Sequence, residues 1–300
     1  MAAYRSEVMR SEDQAAGAGD DPDVEPGGFV VLVEPGDRIH FLDWGGPGRP
    51  GIVLVHGLAG SAWAWTPVAR RLREARRTVA MDLRGHGLSD APTGPGAYEL
   101  AILASDVVAV AEGSGALETA PGSGIVLAGH GFGAIIAAVA AAELGERCRR
   151  LVLVDGGLDH LPSTTGVDVD EFLRGLDEPP EVMRSMTAYL ADRRGWDPAS
   201  WDADQERAAR AAVVETPAGR LVGATRPHAL EACVRSMFGY DPEAVLPRVQ
   251  APIVALRQAG DVSGPSEQAR AEVELFEVSA PGHNLLRYRP ADVTAAILGG

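Results

Sequence analysis

Residues able to do chemistry gather in four short signatures. His56-Gly57-Leu58-Ala59-Gly60 closes the apolar run GIVLVHG. In such a turn the backbone N–H of Leu58 can face a site as a donor to a developing oxyanion. Asp82-Leu83-Arg84-Gly85-His86-Gly87-Leu88-Ser89 follows the next apolar run, and the span from Asp82 to Asp90 is expected to form a stabilising turn network. Gly129-His130-Gly131-Phe132-Gly133 stands at a strand-to-helix junction, and Pro281-Gly282-His283 comes after the last apolar run. Asp261 follows PIVALRQAG, at the end of the run before it.

The composition excludes several alternatives. All 27 basic residues are Arg, so Schiff-base chemistry, covalent pyridoxal phosphate and a phosphate-loop lysine are ruled out. A net charge of −15 argues against nucleic acid and against anionic membrane surfaces. No apolar run approaches the roughly 20 residues of a membrane span. The histidines offer no metal-ligand spacing, and neither a metal nor another cofactor is expected. Cys148 and Cys233 read as two reduced thiols. With no signal-peptide pattern at the N-terminus, this gives a cytoplasmic expectation.

The elements that must position these residues show in the hydrophobic pattern. Residues 1–28 hold seven acids and two Arg among many Gly and Ala, and read as a disordered acidic tail. FVVLVE (29–34) and RIHFLDW (38–44) alternate around a turn and predict a hairpin. Buried strands are then expected at 51–57, 77–82, 124–130 and 151–157, separated by helices at 64–75, 98–114 and 132–145. Continuous apolar strands alternating with helices indicate a parallel sheet covered on both faces. Residues 158–240 predict four amphipathic helices with no clear strand, a helical cap inserted after the sixth run. Strands at 252–258 and 274–280 and a helix near 285–298 complete the pattern. The domains are therefore the tail, an α/β core at 29–157 and 241–300, and the cap at 158–240.

The four signatures, in this order and on these elements, resemble the α/β-hydrolase family over residues 29–298. The resemblance implies a mostly parallel central sheet with helices on both faces and a capped ligand site. It places the family's base on His283 and its acid on Asp261, with Asp155 as the fallback because Gln258 stands where a Gly is usual. The second oxyanion donor would be the Phe132 backbone N–H. The nucleophile falls on Gly131, which has no side chain. Glycine adopts the positive φ of this elbow freely, whereas other residues there cost on the order of 1–3 kcal/mol.

Three readings follow. His283, oriented by an Asp, acts as general base on a water or a substrate proton, in a hydrolase-like or lyase-like reaction of a small apolar carbonyl compound. Alternatively the chain binds an apolar ligand beneath its cap without catalysis, or it is a serine hydrolase whose nucleophile has become Gly. His56, Gly57, Trp63, His130 and Tyr189 are the candidate pocket residues, with Tyr240 a further cap tyrosine able to polarise an oxygen. His56, His86 and His130 also suit structural roles within their turns, and His40, His160 and His228 read as surface or cap residues. The pattern carries no information on oligomeric state.

Overall fold

The computed structural model describes residues 8–9, 25–118, 120, 122–176, 182–260, 273–282 and 284–299. Asp261 and His283, expected as acid and base, lie outside the described residues.

The strands are β1 (Val8–Met9), β2 (Gly27–Val33), β3 (Asp37–Gly45), β4 (Gly51–Val55), β5 (Thr78–Met81), β6 (Ile125–His130), β7 (Cys148–Val154), β8 (Val213–Glu215), β9 (Leu221–Gly223), β10 (Ile253–Gln258) and β11 (Val273–Val278). Nine of them form one sheet, in the order β1-β2-β3-β5-β4-β6-β7-β10-β11. The β2–β3 hairpin and the β3–β5 pair are antiparallel, and β5, β4, β6, β7, β10 and β11 run parallel. The helices of the core are α1 (Thr66–Leu72), α2 (Leu100–Gly113) and α3 (Phe132–Leu144). Those between β7 and β10 are α4 (Leu161–Thr165), α5 (Val169–Arg174), α6 (Met186–Trp196), α7 (Ala203–Ala211), α8 (Pro227–Phe238) and α9 (Pro242–Val245). The last two are α10 (Leu285–Tyr288) and α11 (Pro290–Leu298).

Period-two alternation divides the core into two layers. Val53 and Val55 of β4, with Leu151 and Leu153 of β7, face α2 and α3. Ile52 and Leu54, with Val152 and Val154, face the layer that holds Trp65, just before α1, and Leu72, Leu285 and Val293 from α1, α10 and α11. Burial on both faces explains why these strands read as unbroken apolar runs.

The winding direction reverses at β4. The chain goes from β4 to β5 on one side, then crosses to β6 on the other. An open α/β sheet leaves a crevice at such a switch, outside the carboxyl ends of the two diverging strands. The loops His56–Gly60 and Gly131–Phe132 leave β4 and β6 at that crevice.

Several details depart from the sequence expectations. Val8–Met9 pair with Val30–Val31, and β2 begins at Gly27, so parts of the 1–28 segment join the sheet. The segment between β7 and β10 contains a hairpin, β8–β9, where the sequence predicts helices and no strand. Thr216 N–H donates to Arg220 O at 2.7 Å and Gly219 takes φ +76°, a turn that lets Val213–Glu215 pair antiparallel with Leu221–Gly223. β-Branched neighbours favour that outcome once a partner strand exists. The expected last helix is two, because Pro290 starts a second one. His40 is buried, not on the surface. The inner face of α8, with Ala229, Cys233, Val234 and Met237, packs into the main core.

Candidate active site

The elbow is built by its neighbours. Gly131 has φ +54° and ψ −117°, and its N–H donates to Val154 O at 2.9 Å. A Cβ on Gly129 would meet Gly133 O at 2.2 Å, and one on Gly133 would meet Val55 O at 2.3 Å. A Cβ on Gly156, at the end of β7, would meet Gly131 O at 2.5 Å. Glycines at 129, 133 and 156 therefore let three backbones touch. Position 131 itself is open among the described residues, where a Cβ would find nothing nearer than Gly57 Cα at 3.8 Å.

Gly57 thus faces the elbow, and Leu58 follows it in a turn closed by Gly60 N–H to Gly57 O at 3.0 Å. Ala59 completes that turn with φ +57°, a backbone region L-residues rarely occupy. Phe132 is buried as the first residue of α3, where helical amides have no intrahelical acceptor. The two sequence-predicted donors therefore belong to loops that flank one crevice.

Asp155 lies at the same place. It follows β7 with φ +48°, and its side chain is 4% exposed. Its Oδ2 accepts from Leu285 N–H at 3.0 Å and lies 3.9 Å from His130 Nε2. The His130 ring also borders Gly57, whose Cβ position is 3.0 Å from His130 Nδ1. Gly57, His130, Gly131, Phe132 and Asp155 are thus brought together.

The remaining candidates sit elsewhere or have other partners. His56 is fully buried, its Nε2 accepting from Leu83 N–H at 3.0 Å and its Nδ1–H donating to Gly57 O at 2.7 Å. Burial pushes its pKa below the ordinary histidine value. Trp63 belongs to the opposite layer, edge-on to Trp44 at 6.4 Å and beneath the Arg207 guanidinium at 4.9 Å. Tyr189 packs in the cap's own small core with Val213 and Leu221, under Arg193. Tyr240 Oη donates to Gly157 O at 2.9 Å.

The turn network around Asp82 has a member that the sequence reading missed. Asp82 accepts from Ala62 N–H at 2.7 Å, Leu88 N–H at 3.0 Å and His40 Nδ1 at 2.8 Å. Burial opposes its ionisation, yet the His40 hydrogen bond and the nearby His56 hold its pKa below the usual carboxylate value. Only the strand pairing that sets β3 against β5 brings His40 to Asp82, so no local signal could have shown it. Arg84 bridges Asp106 at 2.8 Å and Asp37 at 2.9 Å within the same network.

A family model described as alpha/beta hydrolase fold matches residues 50–225. The chain belongs to that family. Epoxide hydrolase 4 of Mus musculus is 31% identical over 135 residues, 45% of this chain and 36% of the mouse protein. N-formylmaleamate deformylase of Pseudomonas putida is 38% identical over 121 residues, 40% of this chain and 42% of the deformylase. The chain thus matches less than half the length of either relative. The solved structure of E-2-(acetamidomethylene)succinate hydrolase superposes with a TM-score of 0.73 at 21% identity, covering 88% of this chain and 96% of that one. Among the described residues no helix is long and apolar enough to cross a membrane.

Proposed function

We propose that this chain is a hydrolase-like or lyase-like enzyme for a small apolar carbonyl substrate that works without a side-chain nucleophile. The observation that carries the reading is the open space at Gly131 inside an otherwise intact elbow, bordered by Gly57 and reached by the Leu58 and Phe132 loops. That space suits a water or the substrate's carbonyl carbon. His283 would take a proton from the water as its oxygen bonds to the carbonyl carbon, and the Leu58 and Phe132 N–H groups would hold the oxyanion. When the tetrahedral species collapses, the imidazolium returns the proton to the leaving group. The deformylase and hydrolase names among the relatives agree with such chemistry.

Within this reading Asp155 is the acid that orients His283, in preference to Asp261. Its carboxylate is buried beside the elbow and accepts from Leu285, two residues along the chain from His283. A carboxylate in that place fixes the imidazole tautomer and stabilises its charged form.

The test is a panel of activated esters, formamides and epoxides given to the unmodified chain and to His283→Ala. We expect slow turnover without a burst, reduced about 10²–10⁴-fold in the variant. A chain that turns nothing over yet binds apolar ligands equally well without His283 would be a binding protein. Turnover appearing only in Gly131→Ser would mark a serine hydrolase that has lost its nucleophile.

A further inference from the structure

We infer that His56 and His86 form a reciprocal clasp that positions the Leu58 oxyanion donor, an assignment that rests on the catalytic reading above. Each imidazole comes from one loop and accepts a backbone amide of the other. His56, at the start of the oxyanion turn, accepts Leu83 N–H at 3.0 Å. His86, in the loop after β5, accepts Ala59 N–H at 3.2 Å. Because an amide can only donate, both Nε2 atoms must be unprotonated and both protons must sit on Nδ1. The Nδ1 partners agree, since His56 faces Gly57 O at 2.7 Å and His86 faces Arg84 O at 3.1 Å.

The two bonds bracket Leu58. The Leu83 N–H bond holds His56, two residues before Leu58, and His86 holds Ala59, the residue just after it, at φ +57° without a glycine's freedom. The rings are fully buried and their centroids lie 5.2 Å apart. Protonating either Nε2 would remove an acceptor and set a cation beside the other ring. The charged neighbour is Asp82, itself engaged by His40. The clasp is therefore a neutral device, and His86 is a positioning residue that touches no substrate.

Long-range ¹H–¹⁵N spectra of the full chain test the clasp without any activity. We expect the less common Nδ1–H tautomer for both histidines; protonated Nε2 on either ring would overturn the proposal. In His86→Phe, which fills the space but accepts nothing, the Ala59 amide should lose exchange protection and the Leu58 amide resonance should move. His86→Gln, whose amide oxygen can accept, should restore both. In a Gly131→Ser background, acylation by an activated ester should fall at least tenfold in kcat for His86→Phe with KM within about threefold, and recover in His86→Gln. Unchanged Leu58 and Ala59 signals in His86→Phe would refute the clasp. No acylation in the background itself would refute the catalytic reading instead, leaving the spectra to decide the clasp. Should both variants fail to fold, the tautomers of the unmodified chain decide alone.

Discussion

Restoring a hydroxyl at Gly131 is the perturbation whose consequences the structure fixes most closely. Among the described residues the added Cβ has only Gly57 Cα near it, at 3.8 Å, an ordinary van der Waals contact. The described neighbours add no steric cost, and the penalty is the backbone strain of a non-glycine residue at φ +54°. That strain is worth about 1–3 kcal/mol, or a fall in Tm of roughly 2–10 °C for a chain of this size. Serine at Gly129 or Gly133 provides the contrast. There the Cβ would meet backbone oxygens at 2.2 and 2.3 Å, so either variant should fail to fold.

Activity should move in the opposite direction. Triad members act as a unit, so adding a hydroxyl beside the proposed base, acid and oxyanion donors should raise ester hydrolysis by about 10³-fold or more. Stopped-flow measurement with p-nitrophenyl acetate should show a burst in Gly131→Ser that the unmodified chain lacks, and a fluorophosphonate probe should label the variant. A variant that folds with the expected Tm yet shows neither burst nor label would refute the inferred geometry of base and acid around the elbow.

Three further outcomes are expected. In the Gly131→Ser background, Asp155→Asn should lower the acylation rate by about 10²–10⁴-fold and Asp261→Asn by less than about fivefold, which steady-state kinetics will separate. Burial pushes the His86 pKa down to about 3, so between there and the ordinary value of 6.5 the unfolded chain binds a proton that the native chain does not. Stability should then rise with pH across that window, by at most about 1.4 kcal/mol per pH unit from this group, and urea titrations of His86→Gln should show a shallower slope. Deleting residues 1–24 should shift Tm by no more than about 2 °C, because within that segment only the Val8–Met9 pairing is described, and a pair of edge residues contributes little. A larger drop by calorimetry would show that the tail docks.

The parts of the fold that periodicity encodes were legible in the sequence, and the parts set by long-range pairing were not. Five consecutive buried residues in β4 read directly as a covered parallel strand. Val213-Val214-Glu215 looked like a continuation of α7, because a short apolar run fits either period until its partner is known. The partner, Leu221–Gly223, lies across a turn whose Pro217 and Gly219 were visible in the sequence. His40 shows the same limit at a single residue. It alternates correctly within β3, but its burial against Asp82 depends on pairing across 42 positions. Asp155 was readable as an acid at a strand end, whereas its positive φ and its bond to Leu285, 130 residues away, belong to tertiary structure.

These differences bear on how much the elbow can say about chemistry. Glycines at 129, 133 and 156 are demanded by backbone contacts that exist whether or not residue 131 has a side chain. The turn therefore keeps its shape whether or not residue 131 carries a side chain. Asp155 is a different case, because a buried carboxylate held at positive φ is costly, and it tethers the start of α10 through Leu285 N–H while standing beside the elbow. The Ala59 turn, strained and held by a neutral imidazole, is another such feature. In the proposed reading that strain holds an acid beside the elbow and a donor across from it, and this favours catalysis over binding alone.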